Sequence, residues 1–481
     1  MNALVDASSV ADAALRQVDE GQGPLVLSAA VPLDSARQLI RRRYMQPGAR
    51  TIHHQQNTFY LWCGTRYRDI DREEIRAQVY EFLDSARRLD GETLVPFNPN
   101  RNKVGDVLDA LAAAAQLPST KRAPTWLDDE RHPSATDVLA CSNGLVHLPT
   151  RTVLPHTPVF FGVNAVDYRY EPQAKEPTAW FAFLKSIWPD DKESIATLQE
   201  LFGLLLTPDT SHQKAFLIVG PKRSGKGTIA RILAAMFGKE NVAAPTLSSL
   251  TQNFGLAPLI GKPLAIISDA RLSGRADGSV VVERLLAVTG EDAITVDRKF
   301  REAWTGRLPT RFLILTNELP RLADASGALA SRFIVLTLRK SFYGSEDFGL
   351  TERLLKELPG ILNWAMAGRD RLAARRRFMQ PQSSAQAIEE LEDLASPIGA
   401  FIRARCILAP ERCVECSRLF TDWKAWCERQ GREHVGTVQG FGRDLRAAVP
   451  GLNVAQPRAE DGTRLRYYQG LDLDPDKAWQ D

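Results

Sequence analysis

Residues 214–228 read Lys-Ala-Phe-Leu-Ile-Val-Gly-Pro-Lys-Arg-Ser-Gly-Lys-Gly-Thr, and no other stretch limits the fold as tightly. The apolar run Ala215–Val219 has the length of a buried strand and ends at Gly220. An amphipathic helix then opens after Gly225-Lys226, with Ile229, Ile232, Leu233, Met236 and Phe237 on one face and Gly238 as its stop. A strand feeding a helix through such a loop turns backbone N–H groups toward one point. The helix N-terminus adds partial positive charge there, and a lysine at position 226 reaches the terminal phosphates of a bound chain. Gly220, Pro221, Lys222, Arg223, Ser224, Gly225, Lys226, Gly227 and Thr228 are therefore the expected cradle of a nucleoside triphosphate, in a chain of the α/β class. One position departs from the usual pattern. Gly227 stands where a magnesium-holding hydroxyl is expected, and the hydroxyl comes one place later, at Thr228.

At 481 residues the chain has room for about three domains. Its net charge of +3 leaves nucleic-acid binding to local basic patches. No apolar run approaches the roughly 18 residues of a membrane span, and no signal peptide opens the chain, so a cytoplasmic protein without a membrane partner is expected. Cys406, Cys413, Cys416, Cys427 and His434 fall in one short stretch. Cys413-Val-Glu-Cys416 has the spacing of half a zinc site, but no second pair matches it. Reduced, partly buried thiols are the favoured reading.

Patterning divides the chain into a weakly patterned segment 1–40, a mixed α+β accessory region 41–206, a nucleotide-binding core 207–378, a linker 379–394 and a smaller domain 395–474. Within the accessory region, Phe59-Tyr-Leu-Trp62 and Gly144-Leu-Val-His147 read as strands. Residues 73–88, the segment around Trp180, Phe181, Leu184, Ile187 and Trp188, and residues 195–206 read as helices.

Downstream of the loop, Leu264–Ile267 is a second buried strand ending at Ser268-Asp269-Ala270. An acid at such a strand end holds the water shell of a magnesium ion, so Thr228 and Asp269 are the expected magnesium residues. A third strand, 311–315, ends at Thr316-Asn317, whose amide can touch the γ-phosphate or orient the attacking water. Arg332, 15 residues further on, stands just before another strand. An arginine there can project onto a neighbouring subunit's nucleotide; a surface ion pair is the alternative. Between the second and third strands, residues 294–296 are strand-like, and Arg298, Lys299, Phe300 and Arg301 set cations around one aromatic. A hairpin tip of that composition can grip a nucleic-acid backbone and stack on a base; an ordinary solvated hairpin is the alternative. Near the C-terminus, Gly462-Thr-Arg-Leu-Arg-Tyr-Tyr-Gln reads as a short basic strand with Arg464 and Arg466, two apart, on one face, and Arg443, Arg446 and Arg458 lie close in sequence. Duplex DNA is the expected ligand there, with protein docking as the alternative.

In this order and spacing the chain resembles the superfamily III helicases, an AAA+ branch typical of viruses, phages and plasmids. The closer likeness is to phage and plasmid primase-helicases of the satellite-phage and poxvirus type. It is carried by Thr316-Asn-Glu-Leu-Pro320, Ser331-Arg-Phe333, Gly360-Ile-Leu-Asn-Trp-Ala365 and Pro381-Gln-Ser-Ser384, and further out by Phe59-Tyr-Leu-Trp62, Trp423-Lys-Ala-Trp-Cys427 and Phe441-Gly-Arg443. The resemblance implies an AAA+ P-loop core, a preceding accessory domain and a C-terminal winged-helix-like domain. It implies ATP and Mg2+ as cofactors, with Lys226 on the β- and γ-phosphates, Asp269 as the Walker B acid, Asn317 as sensor 1 and Arg332 as the arginine finger. Lys299 and Phe300 would sit at a pore-loop tip with Arg301 beside them. A homo-oligomeric ring, a hexamer, would enclose single- or double-stranded DNA during replication of a phage, plasmid or integrated element. Many relatives carry a primase domain, which is not expected in this chain; a separate primase or initiator is a further candidate partner. Ser268-Asp269 offers one acid where many relatives have two, leaving the water-activating acid open, with Glu283 a weak candidate. The other readings are an ATP-gated origin-binding or scaffold ring with weak hydrolysis, and a regulatory or defence NTPase.

Overall fold

The computed structural model describes residues 25–270, 278–299, 301–320, 322, 324, 327–432, 435–456 and 464–477. Its central sheet has five strands: β1 (Ala215–Val219), β2 (Val242–Ala243), β3 (Leu264–Ile267), β4 (Arg311–Thr316) and β5 (Phe333–Thr337). They lie in the order β2-β3-β4-β1-β5, and every pairing is parallel. Parallel strands covered on both faces read as unbroken apolar runs, which is why β1, β3 and β4 stand out in the sequence. Register puts Val219 beside Thr316 and Thr337, and Ile267 beside Ile314. The loop after β1, Ser268-Asp269 and Asn317 therefore leave the sheet along the same edge.

One face of the sheet packs against the helix Lys226–Phe237 and against helices Thr178–Ile187, Lys192–Leu204 and Leu358–Arg375 in one continuous core. Trp180 and Phe202 share that core with Phe216 and Leu313. The core therefore begins before residue 207, and the boundary expected at 206 falls inside its packing. Helix Gly278–Thr289 covers the other face. Helices Lys192–Leu204 and Leu358–Arg375 approach through glycines. A Cβ at Gly368 would lie 2.3 Å from the Gln199 carbonyl oxygen, and one at Gly203 would lie 2.3 Å from the Arg369 nitrogen. Glu200, 1% exposed, receives Arg371 Nε at 2.7 Å and Arg375 Nη2 at 2.5 Å across this contact.

The accessory domain is an antiparallel sheet of Ile52–Gln55, Thr58–Trp62 and Tyr67–Ile70 packed with helices Pro32–Arg43, Arg72–Asp84 and Arg101–Ala114. The first helix crosses the boundary expected at residue 40, because Ala36, Leu39 and Ile40 face this core. The helix expected over 73–88 stops at Asp84, and Arg87–Asp90 instead pairs with Thr93–Pro96. His53 is buried between the rings of Tyr67 and Phe161, with Nδ1 3.1 Å from Arg50 Nη2. Burial, then the Arg50 charge, pushes its pKa down to about 4.

Residues 379–394 pack rather than link. The Gln380 amide accepts from Val335 N at 3.0 Å and donates to Val335 O at 2.7 Å, imitating a neighbouring strand on the open edge of β5. The helix Ala385–Ala395 buries Leu391 in the sheet's second core. Beyond it stand helix Pro397–Arg405, strand Cys406–Glu415, helices Cys416–Arg429 and Val438–Ala448, and strands Asn453–Ala455 and Tyr467–Leu473. The last strand is the middle of a three-stranded antiparallel sheet. Cys406 and Cys427 are buried in this unit and Cys413 is exposed. No cysteine belongs to a metal-like cluster among the described residues; His434 lies outside them. No described helix is long and apolar enough to cross a membrane.

Gly368→Ala is expected to lower stability by about 1–3 kcal/mol, read as a reduced urea midpoint. For His53 the folded pKa lies below the unfolded value of about 6.5, so the unfolded chain binds the proton first. Stability conferred by the neutral ring is complete above that pH and declines as pH falls toward about 4. Denaturation midpoints measured across this window should drop, and His53→Leu should lack that part of the slope.

Candidate functional site

The loop after β1 closes by the geometry its residues permit. Arg223 and Gly225 take positive φ, 59° and 99°, so the chain folds over and presents the N-terminus of helix Lys226–Phe237. A Cβ at Gly220 would lie 2.6 Å from the Leu338 carbonyl oxygen, and one at Gly225 3.1 Å from the Phe183 ring. Both glycines allow a close approach that a side chain would block.

Lys226 turns back into this loop. Its Nζ donates to Gly220 O at 2.5 Å, Pro221 O at 2.8 Å, Ser224 Oγ at 3.3 Å and Asn317 Oδ1 at 3.1 Å. Sequence reasoning placed Lys226 and Asn317 in one site, and the sheet brings them together because β4 lies directly beside β1. Burial holds the Lys226 pKa below the usual lysine range, so an anion arriving here would offset an existing desolvation cost. Asp269 leaves β3 at the same edge and is exposed. Thr228 is 9% exposed, and its hydroxyl accepts from Arg231 Nη2 at 3.1 Å. A hydroxyl and a carboxylate are ligand types that Mg2+ takes, but Thr228 lines the cleft over the loop and Asp269 does not. Arg231 competes for the hydroxyl.

A cleft of about 1060 Å³ opens over the loop. Ala179, Ala182, Phe183 and Ser186 form one wall; Phe342, Phe348, Leu350 and Thr351 form the other. The first wall is set by Glu357, whose carboxylate accepts from Ala179 N at 3.0 Å and Trp180 N at 2.9 Å, capping the helix Thr178–Ile187 from a distance. The second wall is tied to the loop. Phe342 N donates to Arg223 O at 3.0 Å, Ser341 Oγ donates to Lys222 O at 2.8 Å, and Arg223 pairs with Glu346 at 3.4 Å. Phe348 is 88% exposed at the mouth. Arg231, Phe348 and Arg353 line the cleft without having been singled out in the sequence. Arg231 was recoverable, three residues after Thr228 on one helix face; Phe348 sits in a loop without periodicity, and Arg353 on the short helix Leu350–Leu355.

Arg332 is not in this cleft. It ends the helix Ala328–Arg332 just before β5, whereas the loop follows β1, and β1 and β5 run in parallel. Five strand residues separate the two edges, about 15 Å. Arg332 Nη1 meets the Gln213 side-chain oxygen and lies 3.5 Å from Gln213 O. Glu283 is exposed on helix Gly278–Thr289.

The predicted hairpin is formed by Ile294–Arg298 and Arg301–Gly306. Lys299 is exposed at its turn, with Arg298 and Arg301 paired beside it; Phe300 lies outside the described residues. Arg464 and Arg466 are exposed, but the last strand starts at Tyr467, so both lie on the approach to it rather than within a basic strand. The connection stays extended there, with Cys416 N donating to Arg466 O at 2.9 Å. Arg458 lies outside the described residues.

Comparisons with known proteins match parts of the chain. A family described as "D5 N terminal like" matches residues 37–189, and one described as "Family of unknown function (DUF5906)" matches residues 218–332. Both are typical of phage and plasmid primase-helicase proteins. Among solved structures, the chain is similar to "The A form apo structure of NrS-1 C terminal region-CTR", at 12% identity and a TM-score of 0.50 over 91% of this chain and 100% of that one. "The A form apo structure of NrS-1 C terminal region-CTR(305-718)" gives 11% and 0.52 over 91% and 99%. "The apo structure of NrS-1 C terminal region (305-718)" gives 13% and 0.51 over the same shares. At these identities the likeness is one of fold, a mixed α/β architecture around a parallel sheet.

Proposed function

We propose that this chain is an ATP-dependent DNA translocase and helicase of the superfamily III AAA+ type, working as a homo-oligomeric ring in replication of a phage, plasmid or integrated element. The observation that carries it is the convergence on one sheet edge of the phosphate loop, Asp269 and Asn317, with Lys226 bonded to Asn317. Insertion of β4 between β1 and β3 supports the AAA+ assignment, since it sets an amide between the phosphate loop and the acid. ATP would lay its phosphates on residues 220–228 and its base between the walls carrying Phe183 and Phe348. Magnesium would be held by Thr228 and Asp269, and supplies charge neutralisation on the phosphates. Arg332, at the far edge of its own sheet, suits action on a neighbour's nucleotide, which favours a closed ring, a hexamer, over a monomer.

DNA would pass the Lys299 hairpin. The order of elements in the C-terminal unit suits a winged helix, with Val438–Ala448 presenting Gln439, Arg443 and Arg446 to a duplex and the chain before Tyr467 as the wing. A second reading keeps the ring but removes most of the turnover: an ATP-gated DNA-binding switch. Gly227 in the hydroxyl position, the Thr228 hydroxyl engaged by Arg231 and the single acid at Asp269 favour it.

Steady-state ATPase with and without single-stranded DNA separates the two. The motor requires turnover that DNA stimulates, that Lys226→Ala abolishes, and that Arg332→Ala reduces at least 100-fold, about 2.7 kcal/mol of barrier, with nucleotide binding retained. Absent turnover with intact binding selects the switch.

A further inference from the structure

The accessory domain reaches the hairpin that carries Lys299, and we infer that Gln56 and Asn57 are positioning residues for it. The inference rests on the reading of that hairpin as the DNA-gripping element. Gln56 and Asn57 form the two-residue connection between Ile52–Gln55 and Thr58–Trp62, with φ of 50° and 59°. Consecutive left-handed residues match the twist of a tight hairpin, but glutamine seldom adopts that conformation. Here it aims the side chain. Gln56 Oε1 accepts from Trp304 Nε1 at 3.0 Å, and Asn57 Nδ2 donates to Glu302 Oε2 at 2.9 Å. Both Trp304 and Glu302 lie on Arg301–Gly306, the returning strand of the basic hairpin.

The contact passes to the tip in one step. Arg298 Nε donates to Glu302 O at 2.9 Å, so the residue held by Asn57 also anchors the residue before Lys299. At its root the hairpin is also fixed by the core: Val296 is buried there with Ile294 and Trp304 packed against it, so Trp304 is shared between the core and Gln56. A two-stranded hairpin alone is marginal in water, so its outer half takes the direction of whatever it docks on. The root belongs to the nucleotide-binding sheet and the outer half to the accessory domain. Through that bridge the accessory domain fixes where the cations of the tip meet a phosphodiester backbone.

Asn57→Asp keeps a residue tolerant of the left-handed turn but opposes a carboxylate to Glu302. Adding Glu302→Gln restores a donor for that carboxylate. Gln56→Glu keeps the acceptor for the Trp304 indole. ATPase is measured against single-stranded DNA concentration, and trypsin cleavage after Lys299 is followed by peptide mapping. Asn57→Asp should raise the half-maximal DNA concentration roughly three- to tenfold, leave the rate without DNA unchanged, and speed cleavage after Lys299. The double variant and Gln56→Glu should behave as wild type in both assays. No change in either assay for Asn57→Asp, or no recovery in the double variant, overturns the assignment. If DNA fails to stimulate the wild-type ATPase, the helicase reading falls; the cleavage pattern of the same three variants then decides the positioning role by itself.

Discussion

Strand order governs everything else in this molecule. With β4 lodged between β1 and β3, the parallel register brings three separate strand ends to one line: Gly220 after β1, Asn317 after β4 and Asp269 after β3. No local interaction could assemble them, since 91 residues separate Lys226 from Asn317 and their side chains still meet at 3.1 Å. The same register sends Arg332 to the opposite edge, because it precedes β5 where the others follow their strands. One sheet thereby fixes Lys226 and Asn317 at one edge and Arg332 at the other.

Around that line, the cleft is made from segments on both sides of the core in sequence. The helix Thr178–Ile187 precedes β1 and owes its orientation to Glu357, which caps it from beyond β5. The segment 341–350 follows β5 and is bonded to the backbone of Lys222 and Arg223. The phosphate loop is thus braced by residues about 120 positions away, so a change in the loop on ligand binding would be felt at the wall holding Phe348. Lys226 directs its donors to loop carbonyls, which keeps a partly buried ammonium satisfied.

The peripheral units attach by equally concrete means. Gln380 closes the free edge of β5 with a side-chain amide, which blocks edge-to-edge pairing, and Ser384 Oγ, accepting from Thr337 N at 3.2 Å, anchors the start of helix Ala385–Ala395. The accessory domain meets the core through Gln56 and Asn57 on the basic hairpin, and through Arg66 on Glu240. These contacts are polar, unlike the glycine-mediated contact of helices Lys192–Leu204 and Leu358–Arg375.

By itself, the sequence determined the local chemistry. The tight turn after β1, the three buried strands and the amphipathic helix after Lys226 were legible because each is written in consecutive residues. The paired cations at the hairpin turn were legible for the same reason. Tertiary structure decided what periodicity does not encode. It ended the accessory helix at Asp84, carried helices 178–187 and 192–204 into the core of the sheet, and turned an expected linker into an edge cap. It also placed Arg231, Phe348 and Arg353 on the cleft and left Arg464 and Arg466 ahead of their strand. Those outcomes depend on which surfaces meet across more than a hundred residues of chain, and burial of apolar area is indifferent to sequence distance. A motif fixes its own geometry; only the packed sheet fixes what stands opposite it.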